Sequence, residues 1–162
     1  MDLTNPFAAL GAIAGPAVLT NACSVLALGT SNRLGRVVDR TRIIVRELRA
    51  LGDDDLEREG LVRQLDTMEL RGVLLLKALR AFYAALGLFA TAALCSALGS
   101  ALALYNQVVL FDVAAVLAMA TGIAAVVSLV RGCVVMIGET RIAVRGLQEE
   151  ARGRSALRSI RK

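Results

Sequence analysis

Side chains able to do chemistry are few in this chain, and their types argue against catalysis. Histidine, the commonest general base and metal ligand, is absent. The three cysteines, Cys23, Cys95 and Cys133, are odd in number and widely spaced, and each falls in an apolar run. That pattern suits neither a disulfide framework nor a metal site; small packing groups explain it. No serine or cysteine stands beside a base, and there is no nucleotide-binding loop. Asp53-Asp54-Asp55 offers three adjacent carboxylates but lacks the spaced ligands and terminal Glu of a calcium loop. A turn that starts a helix accounts for it. No enzyme is expected, and no catalytic residue, cofactor or metal ion is assigned.

Polar groups with a different kind of work to do lie on one stripe. At about 100° per helical residue, Thr20, Ser24 and Ser31 fall within about 40° of one another, with Asn21 on the flank. Ala17 and Gly35 adjoin them. If the helix runs on unbroken, Arg42 and Arg49 continue the line, with Arg46 beside it. Two arrangements account for the stripe. Its hydroxyls bond to neighbouring helices or to their own i−4 carbonyls, easing the backbone near Pro16. Alternatively the stripe lines a narrow pore with a basic vestibule at Arg42, Arg46 and Arg49. Three helices cannot enclose an aqueous lumen, so a pore needs several copies. Packing is the preferred arrangement.

These residues need elements to hold them, and the placement of charge supplies those elements. The chain is 56% hydrophobic with a mean hydropathy of +0.62, yet 20% of it is charged. The charges are segregated. Thirty residues between Asp2 and Arg33, 31 between Arg80 and Asp112, and 18 between Asp112 and Arg131 carry none. About 20 apolar residues, at about 1.5 Å each, cross a hydrocarbon core about 30 Å thick. Three transmembrane helices are therefore expected, at residues 7–30, 81–104 and 109–131. The first has no basic residue ahead of it, so it reads as a retained span and not as a signal peptide. Asp112 and Arg131 bracket the third span and belong at its two interfaces; the functional alternative, an ionisable group within the bilayer on an ion path, is less favoured.

Orientation follows from the basic residues. Eleven of the 19 Lys and Arg lie between Arg33 and Arg80 and eight between Arg131 and Lys162, with none elsewhere. Positive residues stay on the cytoplasmic side, so the N-terminus is expected outside and the C-terminus inside. Residues 31–80 should form an amphipathic cytoplasmic hairpin. Leu34, Val37, Val38, Thr41, Ile44, Val45, Leu48 and Leu51 recur at helical spacing as the seam of the outgoing arm. Gly52 suits its C-terminal cap, and Asp54 with Glu57 resembles a capping box for the returning arm. Leu61, Leu65 and Met68 form the seam of that arm, and Glu57, Glu59, Asp66 and Glu69 can face the arginines opposite. Residues 132–162 form a basic helical tail, where Arg141, Arg145, Arg152, Arg154, Arg158, Arg161 and Lys162 outweigh Glu139, Glu149 and Glu150. The expected partner is the bilayer, with anionic headgroups attracted by about 1 kcal/mol per basic charge. Nucleic acid is not expected, because stacking aromatics and known motifs are missing.

The spans are rich in small residues at intervals of four: Gly11 and Gly15, Gly87 and Thr91, Ala92 with Ser96 and Ser100, Cys95 and Gly99. Together they argue for tight helix packing, within one chain or between copies. A homo-oligomer is expected.

The junction Pro16-Ala17-Val18-Leu19-Thr20 … Ser31-Asn32-Arg33-Leu34-Gly35-Arg36-Val37-Val38-Asp39-Arg40 resembles the small bacterial membrane proteins grouped as domain of unknown function 2721. The resemblance covers nearly the whole chain. It implies a bacterial inner-membrane protein with a proline-containing first span, a charged helical loop and two further spans, and it implies no activity. At this junction Arg33 and Arg36 belong at headgroup level, Asp39 can pair with Arg36, Arg42 or a neighbouring chain, and Gly35 permits close contact. The expectation is an all-α membrane protein forming a homo-oligomeric, channel-like assembly around its first span. The alternative is a scaffold or regulatory subunit that shows its hairpin to a cytoplasmic protein of unknown identity.

Overall fold

The computed structural model describes the backbone of residues 6–51, 56–104 and 108–160, and the side chains of residues 15, 17–51, 58–102 and 109–146. It is all-helical there, with three long helices: α1 (Pro6–Ala50), α2 (Leu56–Leu104) and α3 (Val108–Ile160). They have 45, 49 and 53 residues, hence lengths of roughly 68, 74 and 80 Å, each more than twice a hydrocarbon core. The capping signals at Gly52 and Asp54, the turn at Tyr105-Asn106-Gln107 and the end of the basic tail lie outside the described residues.

Among the described residues, two helical segments are long and apolar enough to cross a membrane: Arg58–Leu102 and Val109–Gly146. A core helix of a soluble protein would hide such a surface. Here only 6% of the most apolar stretch of α3 is buried, and Val109, Val116, Met119, Ile123 and Val127 stand exposed. Contiguous apolar exposure on this scale needs lipid or protein to cover it. The start of the first expected span has no described side chains, and α1 is not among the two segments.

The chain divides into two compact units, and each helix contributes to both. The first comprises the residues through Gly29 with Leu79–Gly132. Its centre is Cys23 of α1, Ala85 and Phe89 of α2 and Ala125 of α3, with Leu86, Leu88 and Leu129 packed against them. α2 and α3 run antiparallel here: Ser128 Oγ donates to the Ala81 carbonyl at 2.9 Å, and Gly99 lies against Ala114. Most buried positions of α2 fall on two lines seven residues apart, Ala78, Ala85, Ala92 and Gly99 on one and Leu75, Phe82 and Phe89 on the other, with Ala81 beside them. This is the 3.5-residue repeat of helices that pack along their length. Of the small residues at four-residue spacing, Ala92 and Gly99 are buried within the chain and Cys95 is half-buried. Ser96, Ser100, Gly87 and Thr91 are exposed, and the hydroxyls of Ser100 and Thr91 return to the i−4 carbonyls of their own helix.

The second unit comprises Thr30–Ala78 with the residues from Cys133 on. In it α1 and α2 are antiparallel, with Val37 beside Gly72, while α1 and α3 run parallel, with Thr30 Oγ1 reaching Met136 Sδ at 3.6 Å. The expected seam of α1 holds: Val37 and Ile44 are buried, and Leu34, Thr41, Val45, Leu48 and Leu51 half-buried. Val38 is 40% exposed and belongs to the outer face. Leu61, Leu65 and Met68 are half-buried opposite. Among the described residues, Glu59, Asp66 and Glu69 form no ion pair with α1, and the side chain of Glu57 lies outside them. Glu59 pairs within its own helix, to Arg63 at 2.6 Å, because an i,i+4 partner is nearer than another helix.

The tightest approach in the first unit sets a test. A Cβ at Gly132 would lie 2.5 Å from Phe82 Cε1 and 2.8 Å from Cδ1, and Phe82 is wholly buried. Gly132→Ala should therefore destabilise the protein by about 1–3 kcal/mol through overpacking. Gly122, with nothing within 4 Å, should accept alanine without loss. Thermal unfolding in detergent checks the pair, and equal behaviour of the two variants would contradict this packing.

Candidate functional site

The heptad spacing of α3 puts Ala125, Gly132, Glu139 and Gly146 on one line, so an acidic residue occupies a seam position. Glu139 is 1% exposed, and its flanks are apolar: Val135, Met136, Ile142 and Ala143. On α2 the line through Ala78 leads back to Arg71, which is three-quarters buried. The two meet inside the second unit. Arg71 Nε donates to Glu139 Oε1 at 2.9 Å, a charge-assisted bond of ordinary length. Arg71 also leans on Met68 Sδ at 3.9 Å.

Arg33 of α1 completes the group more loosely. Its Nη1 is 3.6 Å from Glu139 Oε2, beyond hydrogen-bond range, and 3.4 Å from Thr140 Oγ1. The Thr140 hydroxyl spends its proton on the Met136 carbonyl at 3.0 Å, which leaves its oxygen free to accept from Arg33. Arg71 is the strong partner of the carboxylate. Arg33, about half exposed, is held near it.

Beside this group opens a pocket of about 330 Å³. Arg33, Arg36 and Arg40 of α1 line it together with Arg71, and Val37, Met68 and Ala143 supply an apolar floor. Four guanidinium groups thus face one carboxylate. No buried side-chain polar atom among the described residues lacks a partner. Nor is there a group of three or more His, Cys, Asp or Glu placed to hold a metal among them.

The sequence-expected residues divide between this pocket and the outer surface. Arg33, Arg36 and Arg40 come together at the pocket. Asp39, on another face of α1, is exposed and makes no ion pair among the described residues, so it does not join Arg36 or Arg42 within the chain. Ser24, Asn21 and Ser31 are exposed and Thr20 is half-buried; Ser24 Oγ bonds to the Thr20 carbonyl at 3.0 Å, the i−4 pattern expected of it. Arg42, Arg46 and Arg49 are exposed, with Arg46 Nε turned to the Arg42 carbonyl at 3.4 Å. Asp112 and Arg131 are exposed as well.

The central pair, Glu139 and Arg71, was not among the residues expected to matter. Glu139 counted only as one acid in a basic tail. The signal was its phase: it stands seven residues from Gly132 and from Gly146, where the seam is otherwise apolar or small.

Removing one member of a buried ion pair costs about 3–5 kcal/mol, because the other charge is left uncompensated. Glu139→Ala should therefore lower stability by about 3 kcal/mol, whereas breaking the exposed Arg63–Glu59 pair by Arg63→Ala should cost under about 0.5 kcal/mol. Unfolding of both variants in detergent decides this, and a Glu139→Ala loss no larger than that of Arg63→Ala would refute it.

No curated protein and no solved structure matches the chain. Residues 13–149, which contain both the junction and the Glu139 pocket, match the family described as protein of unknown function (DUF2721). The chain therefore belongs to the DUF2721 family, the one that its Ser31–Arg40 junction resembles.

Proposed function

We propose that this is a three-span bacterial inner-membrane protein, with its N-terminus outside, whose copies assemble around α1 and which acts through that assembly and not through catalysis. The observation that carries the reading is the exposed polar stripe of α1. Asn21, Ser24 and Ser31 are all exposed within or at the end of a run of 30 residues without charge. Their stripe lies roughly 120° around α1 from the buried seam through Cys23, Thr30 and Val37. Lipid is a poor neighbour for the Asn21 amide and the Ser31 hydroxyl, since hydrocarbon offers them no hydrogen bond, whereas the Ser24 hydroxyl already bonds to the Thr20 carbonyl. A second copy of α1, or water along an axis between copies, satisfies them. Ala17, Ser24, Ser31 and Gly35 are also small enough to let backbones approach closely.

In this reading the stripe lines the axis of the oligomer, and Arg42, Arg46 and Arg49 form its inner mouth. Anionic headgroups surround the basic segments. Native mass measurement in nanodiscs should show a defined multimer. In a chain with its three cysteines replaced by alanine, Ser24→Cys and Ser31→Cys should cross-link copies, whereas Val127→Cys on the exposed face of α3 should not. A purely monomeric particle would end the proposal. Ion flux from proteoliposomes, reduced by Ser24→Leu, distinguishes a conducting axis from a closed structural one.

One feature favours a second reading, in which the α1–α2 end of the second unit receives a cytoplasmic protein. Glu47, Leu51, Gly60, Leu61 and Gln64 line a groove of about 520 Å³ there. That reading expects Arg42, Arg46 and Arg49 to Glu to abolish a co-purifying partner while leaving the multimer intact.

A further inference from the structure

We infer that the pocket beside Glu139 is a binding site for a phosphate oxyanion, a phosphate monoester or diester group held by Arg33, Arg36 and Arg40. The inference rests on the second unit alone and stands whether or not copies assemble through α1.

Charge makes the first argument. Four guanidiniums line the pocket against one carboxylate, and that carboxylate is already committed, with Oε1 to Arg71 and Oε2 toward Arg33. Arg36 and Arg40 have no ion-pair partner among the described residues. At positions 33, 36 and 40 the three cations lie three and four residues apart on one helix face, a spacing at which like charges repel. Such a face is relieved by a bound anion.

Chemistry narrows the ligand. The chain uses 17 arginines and two lysines, and all the basic residues of this pocket are arginine. A guanidinium offers five N–H donors in a planar fork that matches two oxygens of a phosphate, which an ammonium cannot do. Arg36 and Arg40 bring ten donors that no described side chain accepts, and Arg33 adds those not turned to Thr140.

Position makes the third argument. Glu139 is buried and fixed by Arg71, so it anchors Arg33 at the pocket edge without entering the space Arg36 and Arg40 surround. Val37, Met68 and Ala143 give the pocket an apolar lining against which an ester substituent can pack. The volume of about 330 Å³ leaves room for an ester substituent beyond the phosphate itself.

The phosphate can come from a lipid headgroup or from a soluble ester, and the test separates the two. Delipidated protein in maltoside micelles, which contain no phosphate, is offered phosphatidylglycerol in one arm and glycerol 3-phosphate in the other. Binding is read by native mass spectrometry and by thermal stabilisation. Binding in the lipid arm identifies a headgroup site, and in the soluble arm a phosphoester site; either supports the inference. The double variant Arg36→Gln/Arg40→Gln should bind at least about tenfold more weakly, the smallest effect expected when charge-assisted bonds are lost. Both side chains are exposed, so the fold should not depend on them. Arg63→Gln/Lys77→Gln removes the same charge from exposed positions of α2 and should bind like the original protein. Failure of both ligands to bind, or equal loss in the two double variants, would overturn the inference.

Discussion

The second unit is organised by one buried carboxylate. Glu139 sits where a heptad seam calls for an apolar side chain, and it is tolerated there because Arg71 arrives from α2 at 2.9 Å. A buried ion pair adds little net stability over a well-packed apolar pair. What it adds is discrimination between registers. Sliding α2 against α3 by one turn would strand both charges in the seam, so only one alignment is satisfactory. Beside the pair, Thr140 of α3 accepts from Arg33 of α1, at the pocket that Arg36 and Arg40 also line.

The first unit solves its packing with size instead of charge. Cys23, Ala85 and Ala125 meet around Phe89, and Gly132 makes room for Phe82. Where lipid surrounds helices, small residues matter more than hydrophobicity, since lipid tails are as apolar as any leucine and only close contact distinguishes protein from solvent. The hydroxyls follow the same economy. Ser24, Thr91, Ser100 and Thr121 bond to carbonyls one turn back, while Ser128 bonds across to α2. One hydroxyl out of these five ties two helices together.

Much of the architecture was legible because charge and period are properties of the sequence alone. The long charge-free runs implied apolar helices, and the spacing from Leu34 to Leu51 placed Val37 and Ile44 on the inner face of α1. Helix-to-helix identity was harder to read. Small residues four apart drew notice on α2, yet the buried set recurs every seven, because long helices in contact follow a 3.5-residue repeat. Arg33, Arg36 and Arg40 were legible as a junction, but their common pocket depends on α2 and α3, from which no local pattern reaches. Glu139 was hidden by summation: in a tail judged by net charge, a single acid disappears. Its neighbours Met136 and Ala143, one turn to either side, are what mark it as an inward-facing residue.

The burial of Cys23 has a consequence for watching this protein move. Its thiol is 0% exposed among Ala85, Phe89 and Ala125, whereas Cys95 and Cys133 are only partly covered. A thiol reagent can reach the first only when the core around it opens, so its rate of modification reports the population of opened molecules. Because an opening that uncovers it must part at least one of the three helices from their shared centre, the chain carries its own clock for that event, installed at the position where the three helices meet.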